Sequence, residues 1–511
     1  MVQGRELNPA IYWPGRVAQG LVLCAVAAGL VPLISFVVGR GALQGVQFDE
    51  SVLGVLTFTL KQAALSTFLS VLPGLFVARA LARQQFWGRR ILLQIFAVPL
   101  ALPAIVAVLG LSVIYGSNGL LGSFIKLYGL PGILLVHVFF NLPLATRLFF
   151  EALEAIAPDN FRLAAQLSFS NAAIFRHVEW PALRPIVPQV SAIIFLLCAS
   201  SFVIVLTLGG PSATTLEVAI YQSLRLDFDV ARALELAILQ VVLCVGLVAV
   251  SGRFILQHSP TTQTRIVKQR FDRHSWPAQV LDIVAIAIAA ALVLPPLLAI
   301  FLSGIVHLNF TFAMATAFLT SAAIGVASAT ITVALAWSLA RSQSRQAQGF
   351  ALAGLIVPPA VIATGWFLLM QRFAETWASL LLPIIFLNAL MALPFAVSAL
   401  APALARLGKN HERLCEELAI SGWNRWWRID LPLMKRPLMQ ALLMALVLSL
   451  GDLTAITLLG SQGLVTLPSL IHSQMGHYRA DDASGTAVLL AGLCFVLAAL
   501  AQRLGGFDDQ V

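Results

Sequence analysis

Twelve apolar runs divide this chain, near residues 17–38, 62–82, 91–114, 130–150, 186–208, 231–256, 278–302, 317–340, 350–370, 377–400, 437–459 and 484–501. At ~1.5 Å per helical residue, about twenty residues cross a ~30 Å hydrocarbon core. Most of the runs reach that length. Composition leaves little choice of solvent: 59% of residues are hydrophobic and 11% charged, and the mean hydropathy is +0.89. No water-soluble domain of this size has that balance. The sequence therefore predicts an all-α membrane protein of about twelve transmembrane helices. Its first run lacks a small-residue cleavage site and reads as a retained helix rather than a signal peptide.

Between the fourth and fifth runs lies a polar island, Asp159–Pro185, DNFRLAAQLSFSNAAIFRHVEWPALRP. It occurs twice. Shifted by 251, Arg162-Leu163 falls on Arg413-Leu414, Leu167 on Leu418 and Pro181 on Pro432. The register extends outward: Pro143 falls on Pro394, Gly209 on Gly460 and Thr215-Leu216 on Thr466-Leu467. A repeat of this length implies two structural copies. We divide the chain into a first repeat at 1–256 with its island at 151–185, a linker at 257–277, and a second repeat at 278–511 with its island at 401–437. Six helices per repeat is an even number, so the copies enter the membrane with the same orientation. The linker is basic and reads as a solvated loop, with contact to anionic lipid as the alternative.

Arginine placement sets the orientation. Arg83, Arg89 and Arg90 follow the second run, Arg147, Arg162, Arg176 and Arg184 lie between the fourth and fifth, and Arg265, Lys268, Arg270 and Arg273 occupy the linker. The opposite loops carry few basic residues. The positive-inside rule then puts the islands, the linker and both termini in the cytoplasm.

Each island has a short helical pattern, Leu163 and Leu167 in the first and Leu414 and Leu418 in the second, followed by aromatics: Phe169 and Phe175, then Trp423, Trp426 and Trp427. An exposed apolar and aromatic knob of this kind suits a groove on a partner protein. It equally suits an interfacial helix on lipid headgroups. Periodicity alone leaves both open.

The islands resemble the "EAA" loops of binding-protein-dependent ABC importer permeases, whose pattern is Glu-Ala-Ala, three residues, Gly, then a Leu-Pro and a final Pro. Leu163, Ala164, Leu167, Pro181 and Pro185 match in the first copy; Leu414, Cys415, Leu418, Pro432 and Pro437 match in the second. Arg162 and Arg413 stand at the Glu position, and Ser168 and Ala419 at the Gly position. Because a left-handed turn disfavours Ser and Ala, a departure from the family's loop geometry is expected there. The resemblance implies a type I ABC importer permease fold in a bacterial inner membrane, with the islands acting as coupling helices on two ATP-binding cassette subunits. The segments Gly209–Leu224, Leu134–Leu148, Ser449–Gly460 and Thr466–Asp482 look more narrowly like the fused two-copy permeases of thiamine and thiamine pyrophosphate importers. Ferric-ion permeases share the doubled plan and are the alternative.

That resemblance implies further partners: a periplasmic thiamine-binding protein and the lipid bilayer, with no nucleic acid. The chain has no GxxxxGK[ST] phosphate loop, so ATP and Mg are expected on the partner ATPases and no cofactor on this chain. No catalytic residue is expected. Cys24, Cys198, Cys244 and Cys494 lie in apolar runs and Cys415 in an island, without disulfide or metal-ligand spacing. A secondary transporter shares the twelve-helix plan, but such carriers place ionisable residues in mid-membrane, and here these are few, chiefly Asp452 and Glu235. Glu217, Asp227, Asp229, Asp481 and Asp482, in the longest loops opposite the islands, are the expected contacts for the binding protein. At the repeat offset Ser201 corresponds to Asp452, a hydroxyl against a carboxylate. The pair is expected either to line the translocation path or, for Asp452, to cap or pair with a neighbouring helix.

Overall fold

The computed structural model of the protein describes residues 13–39, 49–117, 119, 121–122, 127–211, 213–255, 276–342, 357–370, 378–418, 420, 422–460 and 463–505. Among these, every regular element is helical. Among the described residues, nine helices are long and apolar enough to span a bilayer, from Pro14–Pro32 at one end to Ala480–Leu504 at the other. The other three apolar runs take different forms, and proline accounts for two of them. The run near 91–114 bends by 114° between Arg89–Ala101 and Ala104–Tyr115, where Pro103 supplies no N–H to continue the ladder. The island and the run after it, Asn171–Leu183 and Val187–Ala199, meet at 57° around Pro185. The run near 350–370 is described only over the twelve residues Pro359–Met370. Of the linker, residues 257–275 lie outside the described residues.

The fifth and eleventh runs are each interrupted at the same repeat position. Val187–Ala199 stops at Ser200-Ser201 before Phe202–Leu208 resumes. In the second copy Leu431–Leu450 stops before Thr454–Leu459. Neither interruption is visible as a polar gap in the sequence.

Packing divides the chain into two compact units, 48–219 with 242–306, and 1–47 with 220–241 and 307–511. Each unit thus includes the opening helix of the other sequence repeat. In the first, the helix Trp276–Val306 lays Ile300 on Gly110, where an added Cβ would meet the Ile300 Cγ1 at 2.4 Å. Its buried Asp282 accepts from the Gln84 side chain at 2.8 Å and pairs with Arg83 at 3.4 Å. In the second, the helix Trp13–Gly39 crosses Pro359–Met370 at a pair of glycines. A Cβ on Gly365 would stand 1.7 Å from the Gly29 carbonyl oxygen. Close backbone approach through small residues holds helices together where lipid removes the hydrophobic drive. Beside the crossing, the Trp366 indole donates to the Ala25 carbonyl at 3.0 Å.

Gly365→Leu forces these backbones apart. We expect a loss of at least 1–3 kcal/mol, the usual cost of overpacking, read as a fall in apparent melting temperature by fluorescence-detected size exclusion in detergent. Gly20→Leu, on the same helix but with nothing within 4 Å of its Cβ position, should melt like the parent.

Candidate coupling loops and helix breaks

The first island begins with the helix Pro158–Gln166. Phe161 and Ala164 turn inward and join a core with Ile174, Leu183 and Leu153. Leu163 and Leu167 turn outward and are 55% and 58% exposed. Arg162, at the family's Glu position, pairs at 3.0 Å with Asp159 in solvent, a contact worth little. The helix ends in a Schellman turn: Ser168 N–H donates to the Ala165 carbonyl and Phe169 N–H to the Ala164 carbonyl, both at 3.0 Å. Ser168 has φ +52°. The left-handed geometry expected to be lost at this position is kept, because serine's small side chain points into solvent and two hydrogen bonds fix the turn.

The second island follows the long helix Ala378–Glu417. Cys415 is buried, Leu418 is 60% exposed, and Ile420 N–H donates to the Cys415 carbonyl at 2.9 Å. These three positions repeat Ala164, Leu167 and Phe169. Ala419 and the side chains of Arg413, Leu414 and Trp423 lie outside the described residues.

After the turn each island contains one five-residue π turn, Phe175–Glu179 and Trp426–Asp430. Pro181 and Pro432 follow, each in the first turn of the next helical segment. Each π turn ends in a buried acid. Glu179 pairs with Arg79 at 2.5 Å, and Asp430 with Arg341 at 3.2 Å and Arg425 at 3.5 Å. Neither acid stands out in the sequence from the other charges of its island. The available signal was an acid two residues before the island proline in both copies.

At the helix breaks, Ser201 Oγ lies 2.9 Å from His137 Nε2, and His137 Nδ1 lies 2.8 Å from Ser66 Oγ. The Gln62 amide donates to the Cys198 carbonyl at 2.8 Å. In the second copy the Asp452 carboxylate accepts from Thr454 N–H at 3.1 Å and Ala455 N–H at 2.9 Å, capping the resumed helix. Asp452 also borders a water-sized cavity of about 10 Å³ shared with Ser321, Asn388, Ser449 and Thr466.

Beyond the breaks, Leu216–Arg225 and Leu467–Gly476 form short helices. Glu217, in the first of these, is 1% exposed and so offers nothing to a docking protein. Asp227 is exposed, as is Asp229, which caps the following helix through Arg232 N–H at 3.0 Å. Asp481 pairs with His307 at 3.5 Å, and Asp482 with Arg479 at 2.6 Å. The latter pair borders a cleft of about 350 Å³ that also includes Gln474 and His477. Two large side chains project beside these acids on left-handed backbone, Phe228 (φ +55°) and Tyr478 (φ +59°). In the same short helix as Gln474, burial lowers the pKa of His472.

The family described as "binding-protein-dependent transport system inner membrane component" matches residues 328–504. Over nearly the whole chain, the thiamine transport system permease protein ThiP of Escherichia coli (strain K12) is 41% identical over 527 residues, 98% of each chain. ThiP of Brucella abortus (strain 2308) is 40% identical over 518 residues, 95% of each chain. ThiP of Haemophilus influenzae is 34% identical over 532 residues, 99% of this chain and 98% of that one. With this identity over nearly the whole chain and with many apolar helices among the described residues, the chain belongs to the binding-protein-dependent transport-system permeases, a multi-pass membrane family, in the branch that holds the ThiP proteins.

Proposed function

We propose that this chain is the thiamine-conducting permease of an ATP-driven importer. It carries no ATPase site; two ATP-binding cassette subunits, using ATP and Mg, dock on the two islands, and a periplasmic thiamine-binding protein delivers substrate on the opposite face. Both termini are cytoplasmic. The observation that carries the reading is the pair of leucine-tipped turns, Leu163 and Leu167 in one repeat and Leu418 in the other, presented at equivalent positions of a chain that aligns throughout with ThiP. Arg162, Arg413, Leu414 and the buried Ala164 and Cys415 complete the coupling loops, with Ser168, Ala419, Pro181 and Pro432 shaping them. Asp227, Asp229, Asp481 and Asp482, with Phe228 and Tyr478 beside them, meet the binding protein; Glu217 is set aside because it is buried.

The test is thiamine uptake into proteoliposomes that hold the permease, its ATPase and the binding protein. Uptake that needs ATP and survives an uncoupler supports the importer; uptake abolished by the uncoupler with ATP intact means a carrier, and ATP-driven uptake of ferric ion in place of thiamine would replace the substrate.

Two expectations accompany it. Leu167→Asp with Leu418→Asp leaves a charge uncompensated in each ATPase groove, which costs about 3–5 kcal/mol when a charge is buried without its partner. Uptake should stop and the ATPase should no longer co-purify, while the permease still inserts; undiminished co-purification would refute the docking role.

Asp452 separates charge from capping. The conduit role proposed for Asp452 and Ser201 requires the carboxylate to favour a cation such as the thiazolium of thiamine. Asn keeps one of the two acceptor oxygens that Asp452 offers to Thr454 and Ala455 N–H, whereas Ala loses both, about 0.5–2 kcal/mol for a cap. Asp452→Asn should therefore keep assembly and binding-protein-stimulated ATP hydrolysis yet reduce uptake, and Asp452→Ala should also lower thermal stability. Parental uptake in Asp452→Asn would leave the carboxylate with capping alone.

A further inference from the structure

The two buried acids and the arginines that hold them lie on corresponding elements. Glu179 and Asp430 are 251 apart, the repeat offset of the islands. Arg79 and Arg341 are 262 apart, and so are Thr59 and Ser321 on the same two helices, Glu50–Arg83 and Phe312–Arg341. The second correspondence is also structural. Thr59 Oγ1 accepts the Leu216 N–H at 3.1 Å, and Ser321 Oγ accepts the Leu467 N–H at 2.8 Å. Leu216 and Leu467 are again 251 apart, and each opens a short helix beyond the break.

Each of these two helices is therefore fastened at both ends. Near one end it holds the buried acid of its island. Twenty residues away, about 30 Å along a helix, it holds the N-terminus of the short helix that follows the break. At the island end Arg79 makes three contacts on one helical face: the Glu179 carboxylate, the Asn171 carbonyl at 3.1 Å, and the Phe175 ring, 4.9 Å from the guanidinium carbon to the centroid. In the other copy two arginines hold Asp430. Glu179 and Asp430 are 0% and 2% exposed, so moving either island off its helix breaks a buried ion pair, which is costly.

We propose that Glu50–Arg83 and Phe312–Arg341 are transmission rods, and that Arg79–Glu179 and Arg341–Asp430 are the positioning pairs that fasten each rod to its island. An α-helix resists axial compression, and its far-end hydrogen bond is made inside the protein. Displacement of an island by its ATPase is then delivered to the start of Leu216–Arg225 or Leu467–Gly476 rather than absorbed in the loop. This rests on the ATPase docking proposed above. It adds a route that the exposed leucines do not define.

The permease–ATPase complex tests it in proteoliposomes with the binding protein, scored as thiamine taken up per ATP hydrolysed. Glu179→Gln with Asp430→Asn unfastens the island ends while keeping a hydrogen-bond acceptor at each. Thr59→Val with Ser321→Ala unfastens the far ends. Both double variants should hydrolyse ATP at the parental rate and lose about ten-fold in uptake per ATP, within the range over which residues along a coupling route act. Glu179→Asp with Asp430→Glu, which exchanges the acids between copies, should keep coupling. Parental coupling in either unfastened variant overturns the rods. So does an equal loss in the exchange variant, which would make packing rather than charge responsible, or loss of ATPase co-purification in Glu179→Gln with Asp430→Asn, which would make the pair a scaffold for docking.

A second readout does not depend on the substrate: labelling of a cysteine at Leu226 by an impermeant maleimide, with and without ATP and vanadate. The parent should show an ATP-driven change and both unfastened variants should not. A parent that shows the change without taking up thiamine would remove the thiamine reading and leave the rods standing. A parent that shows no change overturns them.

Discussion

Lipid supplies no hydrogen bonds, and the rest of this structure depends on how that constraint is met. An unbroken helix satisfies its own backbone, but every interruption exposes carbonyls at one end and N–H groups at the other. Here side chains answer several of these gaps. The Gln62 amide takes the Cys198 carbonyl, Thr59 and Ser321 take the N–H groups of Leu216 and Leu467, and Asp452 caps Thr454 and Ala455. Thr59, Gln62 and Ser321 are polar groups on two otherwise apolar helices, and they bond backbone groups freed by the later breaks.

The two repeats share this architecture but not its chemistry. His137 bridges Ser66 and Ser201 in the first copy, so its polar chain closes on protein groups at both ring nitrogens. At the repeat offset the second copy has Asn388, bonded to Ser449, and Asp452. Where one copy holds an imidazole between two serines, the other holds a smaller amide, a carboxylate and a water-sized cavity. Duplication preserved the places where the backbone needs help and left the choice of group free. A doubled chain can in this way diverge in side-chain chemistry at its helix breaks while keeping the breaks themselves.

Much of this was legible in the sequence. Run lengths point to the helices, the offset of 251 to the repeat, and the i,i+4 spacing of Leu163 and Leu167 to the face on which both are exposed. Three features were not. The breaks at Ser200-Ser201 and Gly451 contain no Pro and no charge run, so hydropathy passes through them. The second offset, 262, is carried by single hydroxyls on apolar helices, Thr59 with Ser321 and Ser66 with Ser328, and becomes visible only when the partners they bond are known. Glu179 and Asp430 look like surface charges of a polar loop; what sets them apart is burial against Arg79 and Arg341, 100 and 89 residues away in sequence. Glu217 misled in the opposite sense, being an acid in a loop segment whose helix turns it inward.

Ser168 shows why pattern and geometry part company. A family position usually given to Gly needs left-handed backbone, and a substituent there raises the cost by roughly 1–2 kcal/mol. The Schellman bonds at Ser168 and Phe169 each return about 0.5–1.5 kcal/mol, and Phe169 is packed against the island core. The turn is thus held from both sides, by hydrogen bonds at its carbonyls and by an aromatic beyond it, and the strain of one serine is within what they offset. The sequence rule was right about the cost of the residue. What it lacked was the strength of the surroundings, and it is those surroundings, the packed Phe161, Ala164 and Phe169 beneath the loop, that keep Leu163 and Leu167 pointing away from the protein.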